Sequence, residues 1–422
     1  VLKTYEYQIV FNPNTWENTQ QAQYLEKLCK SLNKYANRIW EIEQVKAKID
    51  ESLKDSCISG EGIIHSYETN GKIKVEVIDQ PNIYYGNESD ENIQEQPYII
   101  ISYRRTVERV REEAKQAGVS EEEIENIVAD SEIQEQPGRE NRTTEVSPMC
   151  LVLLKYYKKD NSVWVKKCTR SVTIRKDTNT ELTLYPIAHM IWENVKGSAR
   201  GIGEVEYMIP NQIELNKTIT RRAIAVMMGA YPKLAYNSEY VKDVSSLSKV
   251  GASVRVEQMA ADDVSKALSY LKPATMSSDA LQLQEDLISK SQDLAGAGDN
   301  VTGNIDPTQA SGKAIIAVQQ ASQQPLNEQL NTMKFFIEDI ANIWYDMLKT
   351  YSVDGIILTT EIEDSITGQK VEQMQRISKE ELDSLKVHIR IDITPKGAYD
   401  KFAQEQSLEN LLIQQIITFE EY

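Results

Sequence analysis

Residues 299–320 read DNVTGNIDPTQASGKAIIAVQQ. A Gly-Lys pair at the start of an apolar-periodic run is how phosphate-binding loops end. There the chemistry is nucleotide hydrolysis: backbone N–H groups cradle the phosphates, the lysine reaches the terminal ones, and a hydroxyl beside it holds magnesium. The residues here do not complete that set. Counted back from Gly312-Lys313, the position of the first glycine holds Pro307. The residue after Lys313 is Ala314, which has no hydroxyl, and the preceding segment is polar rather than a buried strand. No dinucleotide fingerprint replaces it. His65, His189 and His388 are far apart, and Cys29, Cys57, Cys150 and Cys168 are scattered without the spacing of a metal site or a redox pair. The cysteines read as buried free thiols. Carboxylates are abundant, but none has a spacing that implies acid–base work. The chain is therefore expected to be non-enzymatic, with no catalytic residue, no metal and no cofactor.

What remains of the opening stretch is a loop. Gly296, Gly298 and Gly303 give backbone freedom, Asp299 and Asn300 tolerate turns, and Thr302 and Asn304 complete a polar segment. The loop ends at a helix start, with Asp306 as N-cap, Pro307 at the first helical position and Gln309 two residues further on. It is longer than an ordinary helix–helix connection, which favours a functional loop.

The elements that would position this loop are long. After Asp306 a helical pattern continues to about Tyr351, with a seam of Leu326, Leu330, Met333, Ile337, Ile340, Trp344 and Met347. Pro325 lies inside it, removes one backbone donor and crowds the carbonyl of Ala321, so a kink is expected there. The seam suits burial in the chain's own core or against a neighbouring chain, and the first is favoured. Before the loop, two helices of similar length, from Pro210 to near Gly229 and from Ser277 or Ser278 to Gly296, flank a compact insertion. YPKLAYN and ASVRVEQ are its expected strands. Lys217, Arg221 and Arg222 make the first helix locally basic, while Glu285 and Asp286 lie on the second. Met227 and Met228 mark a flexible packing end.

The N-terminal part opens with a helix from residue 17 to about 55. Strands are expected at 58–67 and 71–79, joined by a turn at Thr69-Asn70-Gly71. PNIYYGNES reads as a loop, and further strands are expected at 97–105, 149–158, 162–175 and 181–186. Asp160-Asn161 turns between the second and third of these. The acidic stretch 107–140 reads as two short surface helices, with a capping box at Ser120 and Glu123. His65, on a strand, and Trp344, in the seam, read as structural. After Tyr351 come GIILTTEIE, QKVEQMQRI and KVHIRIDIT as strands and a last helix from near Ala398. The class is α+β.

Composition sets limits. The 422 residues suffice for several domains, and the net charge of −17 argues against a surface that grips nucleic acid throughout. An acidic wall instead repels phosphate and lets it slide past. No apolar run reaches the roughly 18 residues of a membrane helix. There is no signal peptide; the chain starts at Val1 and stops inside the helix-like run LENLLIQQIITFEEY, so both ends are expected to be trimmed.

The order of these parts resembles the portal proteins of tailed double-stranded DNA bacteriophages. DSCISGEGIIHSYETNGKIKVEVIDQPNIYYG is similar to the portal wing, RGIGEVEYMIPNQIELNKTITR to the run into the first stem helix, and QASGKAIIAVQQASQQPLNEQL to the start of the long wing helix. The likeness covers about residues 20 to 400 and rests on order and spacing. It implies a ring-forming α+β fold with a mixed β wing, a two-helix stem, a small α/β clip and a long kinked wing helix. By position, 1–208 is the N-terminal helix and wing, 209–230 the first stem helix, 231–276 the clip and 277–295 the second stem helix. Residues 296–306 are the tunnel loop, 307–351 the kinked wing helix, 352–397 wing strands and 398–422 the start of a crown.

The function this resemblance implies is a head-to-tail connector. A homo-oligomeric ring, typically a dodecamer, sits at one capsid vertex. It is the channel for packaging by the terminase large subunit and for genome exit, and the platform for neck or adaptor proteins beside the major capsid and scaffold proteins. It is expected in the virion, in the host cytoplasm during assembly, and without a membrane. Lys217, Arg221 and Arg222 either touch passing DNA or pair with acidic residues such as Glu285 and Asp286 of a neighbour. The competing expectations are another phage structural protein, such as a minor head or baseplate component, and a nucleotide-using enzyme, which the incomplete phosphate loop disfavours.

Overall fold

The computed structural model describes residues 5–13, 19–69, 71–130, 148–230, 234–248, 253, 255–256, 268–271, 279–294, 327–352, 356–363, 370–379 and 387–395. The chain divides into two compact units, one of Val1–Glu206 with Gln323–Tyr422 and one of Tyr207–Ser322.

The larger unit begins with β1 (Tyr5–Pro13), α1 (Thr19–Ile42) and α2 (Val45–Ser59). One continuous helix was expected over α1 and α2; instead the chain breaks at Gln44, which takes the left-handed conformation (φ 50°, ψ 43°). The break leaves Ile42 in solvent and turns Val45 and Ile49 into the core beside Leu28 and Leu32. Glu43 fastens the corner by accepting from Lys74 Nζ at 2.6 Å and Lys48 Nζ at 3.4 Å. Hydrophobic periodicity runs through such a corner, because both helices present an apolar stripe. Helix α2 stops at Gly60 (φ 94°), whose N–H donates to the Ser56 carbonyl.

Two sheets follow. In the first, β2 (Glu61–Thr69) and β3 (Lys72–Ile78) form a hairpin with Gly71 at φ 73°, as the turn sequence predicts. Its third strand is β9 (Ile187–Ile191), paired antiparallel to β2. The strand expected at 181–186 is an irregular segment instead. Its alternation comes from burial of Leu182 and Tyr185, while the carboxylate of Asp346 receives the Thr183 and Leu184 N–H groups at 2.8 and 3.0 Å. A side chain thus satisfies backbone that a ladder would otherwise pair.

The second sheet has the order β4-β5-β6-β7-β8. It comprises β4 (Ile83–Tyr85), β5 (Tyr98–Thr106), β6 (Met149–Lys159), β7 (Ser162–Thr169) and β8 (Thr173–Asn179). Strand β4 lies in the stretch expected to be a loop; it is short, with Ile83 and Tyr85 inward and Tyr84 outward. Asp160 and Asn161 both have positive φ, 53° and 58°, which is the hairpin turn the sequence predicts. The single strand expected over 162–175 is two, because Thr169 and Val172 close a tight turn with backbone and side-chain hydrogen bonds. Helices α3 (Val107–Gln116) and α4 (Glu121–Glu125) are the two expected acidic surface helices. At α4, Ser120 Oγ donates to the Glu123 carboxylate at 3.0 Å.

The described part of the long helix follows α5 and α6, introduced below, and is α7 (Asn327–Tyr351). Its seam is intrachain core: Met333, Ile337, Ile340, Trp344 and Met347 are at most 1% exposed. Each such side chain contributes about 1.5–3 kcal/mol through burial. Trp344 stands edge-on to Trp40, and its indole N–H donates to Ser66 Oγ at 3.1 Å. Asp306, Pro307, Pro325 and Leu326 lie outside the described residues, as do the helix start and kink expected there. Strands β12 (Ile356–Glu363) and β13 (Lys370–Ile377) pair antiparallel, and β14 (Val387–Pro395) pairs along its whole length with β1. The helix expected from Ala398 is also outside the described residues.

The smaller unit holds most of α5 (Glu204–Ala230), the strands β10 (Leu234–Tyr236) and β11 (Leu268–Tyr270), and α6 (Asp279–Leu294). Helix α5 was expected to open at Pro210. It starts at Glu204 and carries Pro210 inside, where the ring denies the Glu206 carbonyl its partner. Glu204 and Glu206 in the first turn favour the earlier start through the helix dipole. The strand expected at ASVRVEQ does not form at its described residues (253, 255 and 256); β10 pairs instead with β11.

Candidate functional surfaces

Helices α5 and α6 are joined side to side by two polar contacts. Asn211 Nδ2 donates to Ser291 Oγ at 3.4 Å, and Arg222 Nη1 donates to Gln284 Oε1 at 3.1 Å. The residue numbers rise on α5 as they fall on α6, so the helices run antiparallel. Only one stripe of α5 is covered, with Thr218 its buried centre. Elsewhere Ile213, Ile219, Ile224, Val226, Met227 and Met228 are exposed, by 46–67% of their surface. On α6, Leu281, Leu283, Ile288 and Leu294 are exposed by 41–54%. By helical spacing Ile213, Ile224, Met227 and Met228 share one side of α5, and exposed apolar residues grouped in this way mark an interaction face.

The basic residues of α5 use local partners. Lys217 and Arg221 both reach Glu214 at 3.3 Å. Arg222 uses the Gln284 side chain. Glu285 and Asp286 stand exposed on α6 and take no basic partner from the described residues. Such exposed pairs contribute little to stability. Gly296, Gly298, Asp299, Asn300, Thr302, Gly303 and Asn304 lie outside the described residues.

The approach to α5, Asn194–Gly203, is held by a cluster that the sequence reading did not single out. Glu61 opens β2 with its side chain wholly buried. Its carboxylate accepts from Arg200 Nη1 at 3.1 Å, Tyr85 Oη at 3.0 Å and Gln80 Nε2 at 3.2 Å, and lies 3.3 Å from His189 Nε2. Arg200 also donates to Glu88 Oε1 and the Ile83 carbonyl, and stacks over Tyr85 at 5.2 Å. Burial would raise the Glu61 carboxyl, but the hydrogen bond and charge of His189, Arg200 and the Gln80 amide outweigh it and hold the group below its ordinary value. Burial works against the Arg200 cation in the same way, and Glu61 reverses it, so Arg200 is held above its ordinary value. Burial beside this carboxylate pushes the Tyr85 phenol well up.

The backbone around the cluster is equally tight. A Cβ on Gly60 would lie 2.2 Å from the Gly201 carbonyl oxygen, so glycine is needed for the close approach. Trp192 N–H donates to the Gly60 carbonyl at 3.0 Å, and its indole N–H donates to Glu204 Oε2 at 3.2 Å. Among the described residues, no buried side-chain polar atom of the cluster is left without a partner. What this arrangement can do is hold the start of α5 rigidly against the end of α2. The signal that could have found it is the glycine spacing Gly60, Gly201 and Gly203 beside lone charged residues.

His65 is structural, as expected. It is buried, with Nδ1 3.1 Å from Glu76 Oε1 and Nε2 3.0 Å from Tyr156 Oη. It lines a crevice of about 770 Å³ with Tyr103, Lys167 and Tyr351. Among the described residues no group of His, Cys, Asp or Glu could hold a metal ion, and the four cysteines are free. No described helix is long and apolar enough to cross a membrane.

The described residues thus present an antiparallel helix pair with exposed apolar side chains and, in the larger unit, a buried ion cluster. Comparison with known families makes this particular. Residues 89–418 match the family model described as phage P22-like portal protein, and the chain belongs to that family, whose members are structural proteins of bacteriophages. No curated protein matches the sequence.

Proposed function

We propose that the chain assembles into a homo-oligomeric ring at one vertex of the phage capsid. The ring is the channel through which the terminase large subunit packages double-stranded DNA and through which the genome leaves. It is also the platform for neck or adaptor proteins, held among the major capsid and scaffold proteins. The observation that carries the reading is the α5–α6 pair, whose apolar side chains a lone chain of this family leaves in water. Neighbouring copies would cover them, since ring interfaces repeat the same contact around an axis.

In this reading α5 and α6 are the stem, 231–276 the clip, 296–306 the tunnel loop and 307–351 the wing helix. The larger unit supplies the wing, and residues from about 398 open a crown. Lys217 and Arg221 share one carboxylate, Glu214, which leaves net positive charge on this stretch of α5 for passing phosphates or for acids of the next copy. Support for the channel also comes from the net charge of −17, which keeps phosphate from sticking. Purified chain imaged in negative stain is expected to show turbine-shaped rings with a central hole; a monodisperse monomer would sink the proposal.

A further inference from the structure

The five-stranded sheet has two electrically different faces. On one, Tyr98, Tyr157 and Trp164 stand in a row across β5, β6 and β7. Lys155 Nζ lies over the rings of Tyr98 and Tyr157, at 4.6 and 5.6 Å, and Lys159 Nζ lies over Trp164 at 5.4 Å. Lys155 is the direct cross-strand partner of Lys166, and like charges so placed are destabilising. Lys166 reaches Asp177 at 3.5 Å. Lys155 and Lys159 have no carboxylate within ion-pair distance among the described residues. The indole N–H of Trp164 is shielded from water and has no acceptor. Tyr84, half exposed, pairs with Ile100 at the sheet edge, in register with Lys155.

The other face packs into the main core at one end and is covered by α3 and α4 at the other. Val107, Val110, Ala114 and Ile127 pack there against Cys150, Val152 and Ile174. On the solvent side of that layer, α4 presents Glu121, Glu122, Glu123 and Glu125, all exposed, with Val128 exposed beside them. Among the described residues, Glu123 is the one of these carboxylates with a hydrogen-bond donor, Ser120.

We infer that the lysine–aromatic face of one copy docks the acidic α4 corner of the next. Charge complementarity selects this occupant: uncompensated ammonium groups over aromatic rings meet an uncompensated run of carboxylates, each desolvated only when paired. The two patches lie on opposite sides of one sheet, so they cannot meet each other reciprocally across a two-fold axis at a single contact. Their contact is head-to-tail, which generates a ring when the rotation between copies closes. The inference rests on the ring-forming reading above and names an interface within it.

The test uses the full chain in two double variants, Lys155→Glu with Lys159→Glu, and Glu121→Lys with Glu122→Lys. Assembly is read by native mass spectrometry and negative stain, and folding by circular dichroism. Each variant alone is expected to assemble about tenfold or more weakly than wild type. An equimolar mixture is expected to recover rings, because each altered patch then meets its opposite. Independently, a benzophenone crosslinker placed at Tyr84 should form intermolecular products that map to residues 119–128, a readout that stands even if a charge reversal unfolds the chain. Either double variant assembling like wild type, or crosslinks that avoid α4, overturns the interface while leaving the ring reading intact. Wild type that stays monomeric overturns both.

Discussion

Glu61 and Arg200 are the residues whose removal the larger unit should feel most. A buried ion pair broken on one side leaves a charge without compensation, which costs about 3–5 kcal/mol. Arg200→Ala is therefore expected to lower the unfolding free energy by that amount, read as a lower urea midpoint with an unchanged slope. A raised slope or an unchanged midpoint would show the cluster to be incidental. The same group sets an acid limit. Glu61 is held below its ordinary value, as are Glu43, where Lys74 and Lys48 overcome the effect of burial, and Glu76, where His65 does so. The unfolded chain then binds more protons than the folded one between the folded values and the usual glutamate value near 4.3. Stability is fully present above that value and is lost as pH falls through the folded values. Thermal melts should show a steep drop only below about pH 4, shallower in Glu61→Gln. None of this was legible in the sequence, because Glu61 and Arg200 are far apart in the chain and each alone reads as a surface charge.

Elements were more legible than their corners. The hairpin at Gly71, the turn at Asp160-Asn161, the two acidic helices and the seam of α7 follow from turn chemistry and periodicity, which are local. The break at Gln44 and the irregular 181–186 segment follow from tertiary fastening by Glu43 and Asp346, and the split between β7 and β8 from the Thr169–Val172 turn, none of which periodicity carries. Strand β1 was missed although Tyr5, Tyr7, Ile9 and Phe11 alternate by two. The left-handed Gln44 makes its own prediction. Glycine relieves that conformation, so Gln44→Gly should stabilise the larger unit by a few tenths to about 1 kcal/mol; destabilisation would show that the Gln44 side chain matters. In α7, Trp344→Ala should cost about 3–5 kcal/mol, since it empties a fully buried site and strands Ser66. A cost under about 1 kcal/mol would mean the seam is not the centre of this core.

At the scale of the whole molecule, the order of parts was the informative signal, and it was legible because long helical periods and a glycine-rich stretch each leave a trace in one sequence. In the proposed reading the glycine-rich segment 296–306 connects long helices and holds no nucleotide. Neutralising Lys217, Arg221 and Arg222 together is expected to slow DNA packaging while rings persist. Loss of the ring would assign these side chains to contacts between copies. Deleting residues 300–304 should likewise leave rings intact and change packaging or genome retention; failed assembly would make the loop a brace. The measurement that bears most directly on the account is the mass of the purified chain under native conditions, with negative-stain images of the same sample. The account predicts a closed ring of many copies around a central hole, sustained by the apolar faces of α5 and α6. A stable monomer at working concentration would contradict it.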